Sequence, residues 1–260
     1  EKSLAIGVAF TPELSVSDVG RQRQIELTAE GVRQAMANAE IESPDDVHFV
    51  QVKGPAFPLV EIVAATEAGQ SCVTDNPGKL MGFGRAASAL GVAKALKEIS
   101  ASQAQEVAVL HDFSAFSSVA SISAGVEVRV NEIVVAGLSS SWSGPLTIAH
   151  RSMLDALDIG SITALATDLG LSPAPQVPAA QARRIRAVFV KCEAQRDGTI
   201  RGRPHTMLND GDIDQQRHIR GAVGAIVAAV LNDTALFVSG GAEHQGPNGG
   251  GLIAVIAEKA

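Results

Sequence analysis

One order of chemical groups occurs twice in this chain, and an internal repeat restricts the possible architectures more than any single motif does. In the first half an apolar run ends in Lys53, an Ala-rich helical segment bears Arg85, and another apolar run delivers Ser123-Ala124-Gly125-Val126-Glu127. In the second half Lys191, Arg220 and Ser239-Gly240-Gly241-Ala242-Glu243 follow in the same order, with loops of different length between them. Two pseudo-symmetric units are therefore expected, with equivalent loops meeting around an axis. Strands and helices mix within each unit, so the fold class is α/β (α+β), each sheet covered by amphipathic helices.

Periodicity and breakers place the elements. Strands are predicted over 4–10 and 47–53, the latter stopped by Gly54-Pro55. Between them a helix follows a Ser17-Asp18 cap, with Ile25, Ala29, Val32 and Met36 on one face. Helices are predicted over 60–67, 84–98 and 150–158, and strands near 107–110, 118–123 and 132–136. Three prolines fall within 173–178, so 171–181 reads as a linker between a unit at 1–170 and another at 182–260. Beyond it come a strand over 185–191, a helix over 214–231, a strand into Ser239 and a last strand over 252–257.

A serine hydroxyl needs a base, and a lysine becomes one when burial or a neighbouring cation lowers its pKa. Lys53, behind Phe49-Val50-Gln51-Val52, has an apolar surround of that kind. Arginine keeps its proton and offers a planar fork suited to the carbonyl oxygens of a flat polar ring. Ser239-Gly240-Gly241 sets a hydroxyl beside two unshielded N–H groups, the local need of an oxyanion hole. The glycine-rich stretch through Gly251 frees carbonyls for a hard cation, though an ordinary Gly-rich turn is the alternative for the loop alone. Cys192, alternating with Lys191, reads as core; His111, His150 and His218 lack a recognisable ligand spacing. The stretch 201–206 suits a substrate contact and a solvated loop equally.

At 260 residues and 46% hydrophobic the chain can bury a sizeable core, but without Tyr and with one Trp that core must be Ala, Val, Ile and Leu. A net charge of −7 without a basic block argues against nucleic acid or a membrane surface as partner. Two distant cysteines, Cys72 and Cys192, fit a reducing cytoplasm rather than a disulfide framework. Neither a membrane span nor a signal peptide is legible, and the start at Glu1-Lys2-Ser3 reads as a mature or trimmed piece of something longer.

The stretches 49–53, 81–91, 121–127, 203–208 and 239–251, taken together, resemble the cyanuric acid hydrolase/barbiturase family of ring-opening amidohydrolases, from end to end of the chain. The resemblance implies three similar repeats around a pseudo-threefold axis, of which this chain matches the second and third. It implies Ser123 as nucleophile and Lys53 as its base. Arg85 and Arg220 would hold ring carbonyls, with the backbone at Ala124 and Gly240 also on the substrate, and Lys191 and Ser239 would form the matching pair of the last repeat. No catalytic cofactor is implied. A structural divalent cation, Mg²⁺ or Ca²⁺, is implied on the Glu193 carboxylate and the backbone at Ala242, Gln245, Gly246, Pro247 and Gly250. The expected reaction opens cyanuric acid to carboxybiuret, then biuret and carbon dioxide, in s-triazine degradation by a homo-oligomer, a tetramer. Barbituric acid to ureidomalonate is the alternative substrate. A two-repeat binding or assembly module is the alternative of another class, and a chain without a first repeat is expected to show little hydrolysis alone.

Overall fold

In the first strand Ala5, Gly7 and Ala9 turn inward while Ile6, Val8 and Phe10 turn out, the two-residue period of a strand covered on one face. A computed structural model describes residues 2–208 and 211–260. Its first unit runs β1 (Ser3–Phe10), α1 (Gln22–Asn38), β2 (Val47–Pro55), α2 (Leu59–Glu67), α3 (Pro77–Ala95), β3 (Ala120–Gly125) and β4 (Glu132–Ser139). The second unit opens with β5 (Leu146–Met153), α4 (Ile159–Asp168), α5 (Ala179–Ala182) and β6 (Ile185–Lys191). The short β7 (Thr199–Ile200) and β8 (Arg203–Pro204), then α6 (Gln215–Leu231), β9 (Phe237–Ser239) and β10 (Gly251–Glu258) complete it.

The sheet orders are β1-β4-β2-β3 and β5-β10-β6-β9, the same topology strand for strand. In each sheet the edge pair, β2 with β3 and β6 with β9, is parallel, and the other pairings are antiparallel. Helices α1 and α3 cover one face of the first sheet over an aliphatic core that includes Val50, Val52, Ile122 and Ile133. Helices α4 and α6 cover the second over Val188, Val190, Ile219 and Val227. Between the sheets lies a smaller cluster that includes Phe49, Ile148, Leu252 and Ile256, with Phe49 stacked on Phe189 at 4.5 Å between ring centroids.

Three expectations are corrected. The segment 150–158 opens in strand, not helix: Ile148, His150 and their neighbours pair along β10, where Ala254 faces His150, and tertiary pairing overrides a helical reading of a short run. The segment 107–110 holds no strand; a 3-10 turn occupies Glu106–Ala108. The unit boundary falls at 140–145, between β4 and β5, rather than at 171–181. The proline-rich stretch lies inside the second unit and is tied to α6, with Val177 N–H donating to Val230 O at 2.9 Å. Two helix starts also move. Asn76 caps α3 by accepting from Lys79 N–H, eight residues before the expected start at Gly84, and α1 begins at Gln22 after a separate 3-10 turn over Val16–Asp18. Among the described residues no helix is long and apolar enough to cross a membrane.

Gly7 sets how closely α1 sits on β1. A Cβ there would stand 1.9 Å from Ala35 O, so Gly7→Ala is expected to destabilise the first unit by at least about 1–3 kcal/mol. A lowered urea midpoint at unchanged slope is the measurement that checks it.

Candidate active site

Parallel pairing brings each unit's lysine and serine together. Lys53 at the end of β2 stands opposite Ser123 on β3, and Lys191 at the end of β6 stands opposite Ser239 on β9. The two pairs share a register but differ in environment.

Lys191 is 1% exposed, and its Nζ donates to Ser239 Oγ at 3.0 Å and to Ile122 O at 2.7 Å. Burial first, and then the charge of Arg85, pull its pKa down to about 7. An amine that is partly neutral near pH 7 and in contact with a hydroxyl is a competent general base. Lys53 is the more open of the two. Its side chain is 31% exposed, its Nζ pairs with Glu127 Oε1 at 2.8 Å and lies 3.5 Å from Ala124 O. Lys53 and Ser123 both line a cleft of about 490 Å³ walled by Ile6, Phe49, Phe189 and Phe237. Gln51 Nε2 approaches Ser123 Oγ at 3.5 Å. The burial expected of Lys53 is thus found at Lys191.

Arg85, on α3, reaches into the other unit and grips Glu243 with both arms, Nε to Oε2 at 2.8 Å and Nη2 to Oε1 at 2.6 Å. Burial alone would raise the Glu243 pKa, but the guanidinium outweighs it and holds the carboxyl below its usual range. Arg220, on α6, lies along Gly240, where a Cβ would come 3.1 Å from its Cδ; one at Gly241 would come 3.0 Å from Arg85 Nε. The Gly240-Gly241 pair is what lets both arginines close on the loop after Ser239.

That loop also completes the first unit. As an edge strand, β3 has a free side, and both backbone groups of Ile122 on that side are met by side chains of the second unit. Ile122 N–H donates to Gln245 Oε1 at 2.6 Å, and Ile122 O accepts from Lys191. Gln245 is fully buried and its Nε2 donates to Gly241 O and Glu243 O, so one side chain fixes both the loop and the residue before Ser123. His244 adds to the same contact: its Nε2 accepts from Leu110 N–H at 2.9 Å, its Nδ1 lies 2.6 Å from Ala115 O, and its own carbonyl accepts from Ser117 N–H. Sequence reasoning missed Gln245 and His244 as contacts, and missed the partners of Glu127 and Glu243. The fifth position of the repeated Ser-x-Gly-x-Glu was the available signal for the two glutamates.

Glu193, next but one to Lys191, is 4% exposed. Burial first, and Glu243 second, push its pKa up to about 7, against the opposing pull of Arg196, 3.8 Å away at Nη2, a backbone hydrogen bond from Ala242 and the charge of Arg85. A buried carboxylate with a raised pKa, beside a loop that turns at Gly246 (φ +105°) and Gly249 (φ +82°), fits a place for a cation. Two of the loop carbonyls, Ala242 O and Pro247 O, also accept turn bonds from Gln245 and Gly250 N–H. Among the described residues no group of three His, Cys, Asp or Glu side chains converges, so a metal here would rest on one carboxylate and backbone oxygens, the donor set of a hard ion. Cys192 is core as expected, its thiol pushed up to about 12 by burial. Arg201 is engaged with Asp155 at 2.7 Å on the surface.

Comparison with known proteins adds the following. The family model described as an amidohydrolase ring-opening protein matches residues 1–258. A cyanuric acid amidohydrolase of Rhizobium johnstonii is 46% identical over 259 residues, covering 100% of this chain and 71% of that protein. One from Pseudomonas sp. (strain ADP) is 44% identical over 256 residues, covering 98% and 69%. A solved cyanuric acid hydrolase, described as an evolutionary innovation by structural concatenation, superposes with a TM-score of 0.92 at 43% identity, over 99% of this chain and 70% of that one. The cyanuric acid hydrolase of A. caulinodans gives a TM-score of 0.91 at 43% identity, over 99% and 72%.

Proposed function

The chain belongs to the family of ring-opening amidohydrolases, and on that premise we propose that it hydrolyses cyanuric acid by serine attack on a ring carbonyl. The observation that carries the reading is the shared register of Lys53 with Ser123 and Lys191 with Ser239, two nucleophile–base pairs delivered by one topology. In the proposed sequence Ser123 Oγ bonds to the carbonyl carbon as its proton passes to Lys53 Nζ. The ring C–N bond breaks, the departing nitrogen takes that proton, and water then cleaves the serine ester. The product is carboxybiuret, which loses carbon dioxide to leave biuret.

Ser123 is favoured as nucleophile because it opens on the cleft, where a flat ring has access. The wall of that cleft includes exposed apolar side chains, with Ile6 43% and Phe237 49% exposed. The relatives extend beyond the span matched here, and a third copy of the unit seated on this face would shield Lys53 and Ser123 from water. Arg220, the Gly240 backbone and the Ala124 backbone would hold the ring, with Arg85 acting through Glu243. A second reading rests on one contact: Ser239 already touches a lysine of lowered pKa, which makes Lys191–Ser239 the alternative nucleophilic pair.

Given cyanuric acid, the protein in a full three-repeat context is expected to release biuret and carbon dioxide, and the 260-residue span alone little of either. A higher kcat/KM on barbituric acid would assign it to the barbiturase branch, and a folded protein inert to both in every length of chain would leave the assembly-module reading. We further propose that Glu193 and the carbonyls of Ala242, Gln245, Gly246, Pro247 and Gly250 hold a structural Ca²⁺ or Mg²⁺. Only the ionised carboxylate binds the ion, so with the Glu193 pKa near 7, affinity is expected to rise from pH 6 to pH 8. Calorimetric titration at the two pH values checks this, and Glu193→Gln is expected to weaken binding and flatten its pH dependence.

A further inference from the structure

Two histidines outside the site above meet where the sheets join. His48 on β2 and His150 on β5 approach Nδ1 to Nδ1 at 2.9 Å, with ring centroids 5.1 Å apart and planes tilted by 55°. Burial lowers both pKa values, and His48 beside it helps hold His150 to about 4, so near neutral pH both rings are neutral and one Nδ1–H donates to the other Nδ1, a shared proton whose place a metal ion could take. The other nitrogen of His150 has a backing. Its Nε2 lies 3.5 Å from Ser118 Oγ, and Ser118 donates from both Oγ and N–H to Glu98 Oε1. A carboxylate acting through a hydroxyl on the far imidazole nitrogen is the arrangement that fixes tautomer and orientation in a ligating histidine. A cavity of about 630 Å³ is lined by both histidines, and another of about 230 Å³ by His150, Asp45 and Glu98, leaving room for water and acidic groups nearby.

We propose that His48 and His150 bind a late first-row divalent cation through their Nδ1 atoms, clipping the first sheet to the second. Metal–imidazole bonds are about 2.0–2.1 Å, and two such bonds at a right angle put their nitrogens about 2.9 Å apart. Tetrahedral angles would set them about 3.4 Å apart. The 2.9 Å of the hydrogen-bonded pair already lies close to either span, and imidazole is a donor that nickel, copper and zinc all accept. No third His, Cys, Asp or Glu side chain converges here among the described residues, so water completes the shell.

The probe is nickel chloride, titrated into the intact protein by calorimetry and by thermal melting, with Mg²⁺ in excess to occupy any hard-ion site. The parent is expected to bind one nickel with a raised Tm. His48→Gln and His150→Gln, each verified as folded by circular dichroism, are expected to lose that shift. Ser118→Ala, which touches no metal, is expected to weaken binding about tenfold by freeing the His150 ring. His111→Gln, remote from the joint, is expected to bind as the parent does. Absence of any nickel shift in the parent overturns the proposal, as does a shift that survives either joint variant or disappears with His111→Gln.

Discussion

Replacing Ser123 by alanine is expected to lower kcat on cyanuric acid by at least about 10³-fold in a full three-repeat context while leaving the melting temperature close to the parent's. The hydroxyl opens on the cleft and, among the described residues, its hydrogen-bond contact is a long one, 3.5 Å from Gln51, so its loss leaves little unsatisfied. Ser239→Ala is expected to behave differently. Ser239 Oγ receives a bond from the buried Lys191, so removing it strips a partner from a desolvated amine and costs stability as well as rate. A large loss of turnover at normal stability in Ser123→Ala, with a smaller loss in Ser239→Ala, assigns the attack to Ser123. Near-normal turnover in Ser123→Ala would move the nucleophile to Ser239 and Lys191, the second reading above.

The buried charges beside Ser239 are expected to give a stability minimum near pH 7 when no cation is bound. Glu193 titrates near 7 in the folded protein against 4.5 as its ordinary value, so its contribution is intact below 4.5 and is lost as pH rises toward 7. Lys191 runs the other way. Its folded pKa of about 7 lies below the ordinary 10.5, so the full cost of burying its charge applies below pH 7 and is relieved between 7 and 10.5. A shift of that size corresponds to on the order of 5 kcal/mol between the two limits. Chemical denaturation of the parent and of Lys191→Met from pH 6 to pH 10 tests this. The difference in unfolding free energy between them is expected to change steeply from pH 7 to 10, and a constant difference would mean that Lys191 is not held near 7.

Much of this site was legible in the chain because Lys53, Ser123, Lys191 and Ser239 lie on strands, where a one-residue register decides what meets what. The parallel edge pairs turned a repeated order of residues into a repeated geometry. What sequence could not reveal was which lysine would be buried. Both end apolar runs, Phe49-Val50-Gln51-Val52 and Ala187-Val188-Phe189-Val190. Lys191 is enclosed because the loop after Ser239 and the end of β3 close over it, whereas Lys53 borders the open cleft. The same limit hid β5. His150 stands in a strand because β10 lies alongside, and nothing within 150–158 announces that partner. Gln245 was read for its backbone, while its side chain acts on a residue 123 positions away.

The cap on Ile122 has a consequence for the order in which the protein matures. Residues 2–139 contain every strand of the first sheet, so that sheet has its own partners before the second has been synthesised. The two groups that occupy the free edge beside Ser123, the Lys191 amine and the Gln245 amide, both belong to the second unit and follow the whole first sheet in the chain. Until they arrive, the serine's strand offers an unpaired edge to any neighbouring chain, and nascent copies on one messenger are exposed to mispairing there. Docking of the loop at 240–250 closes that edge beside the serine, so the Ser123 hydroxyl comes into position only after the second unit has been made.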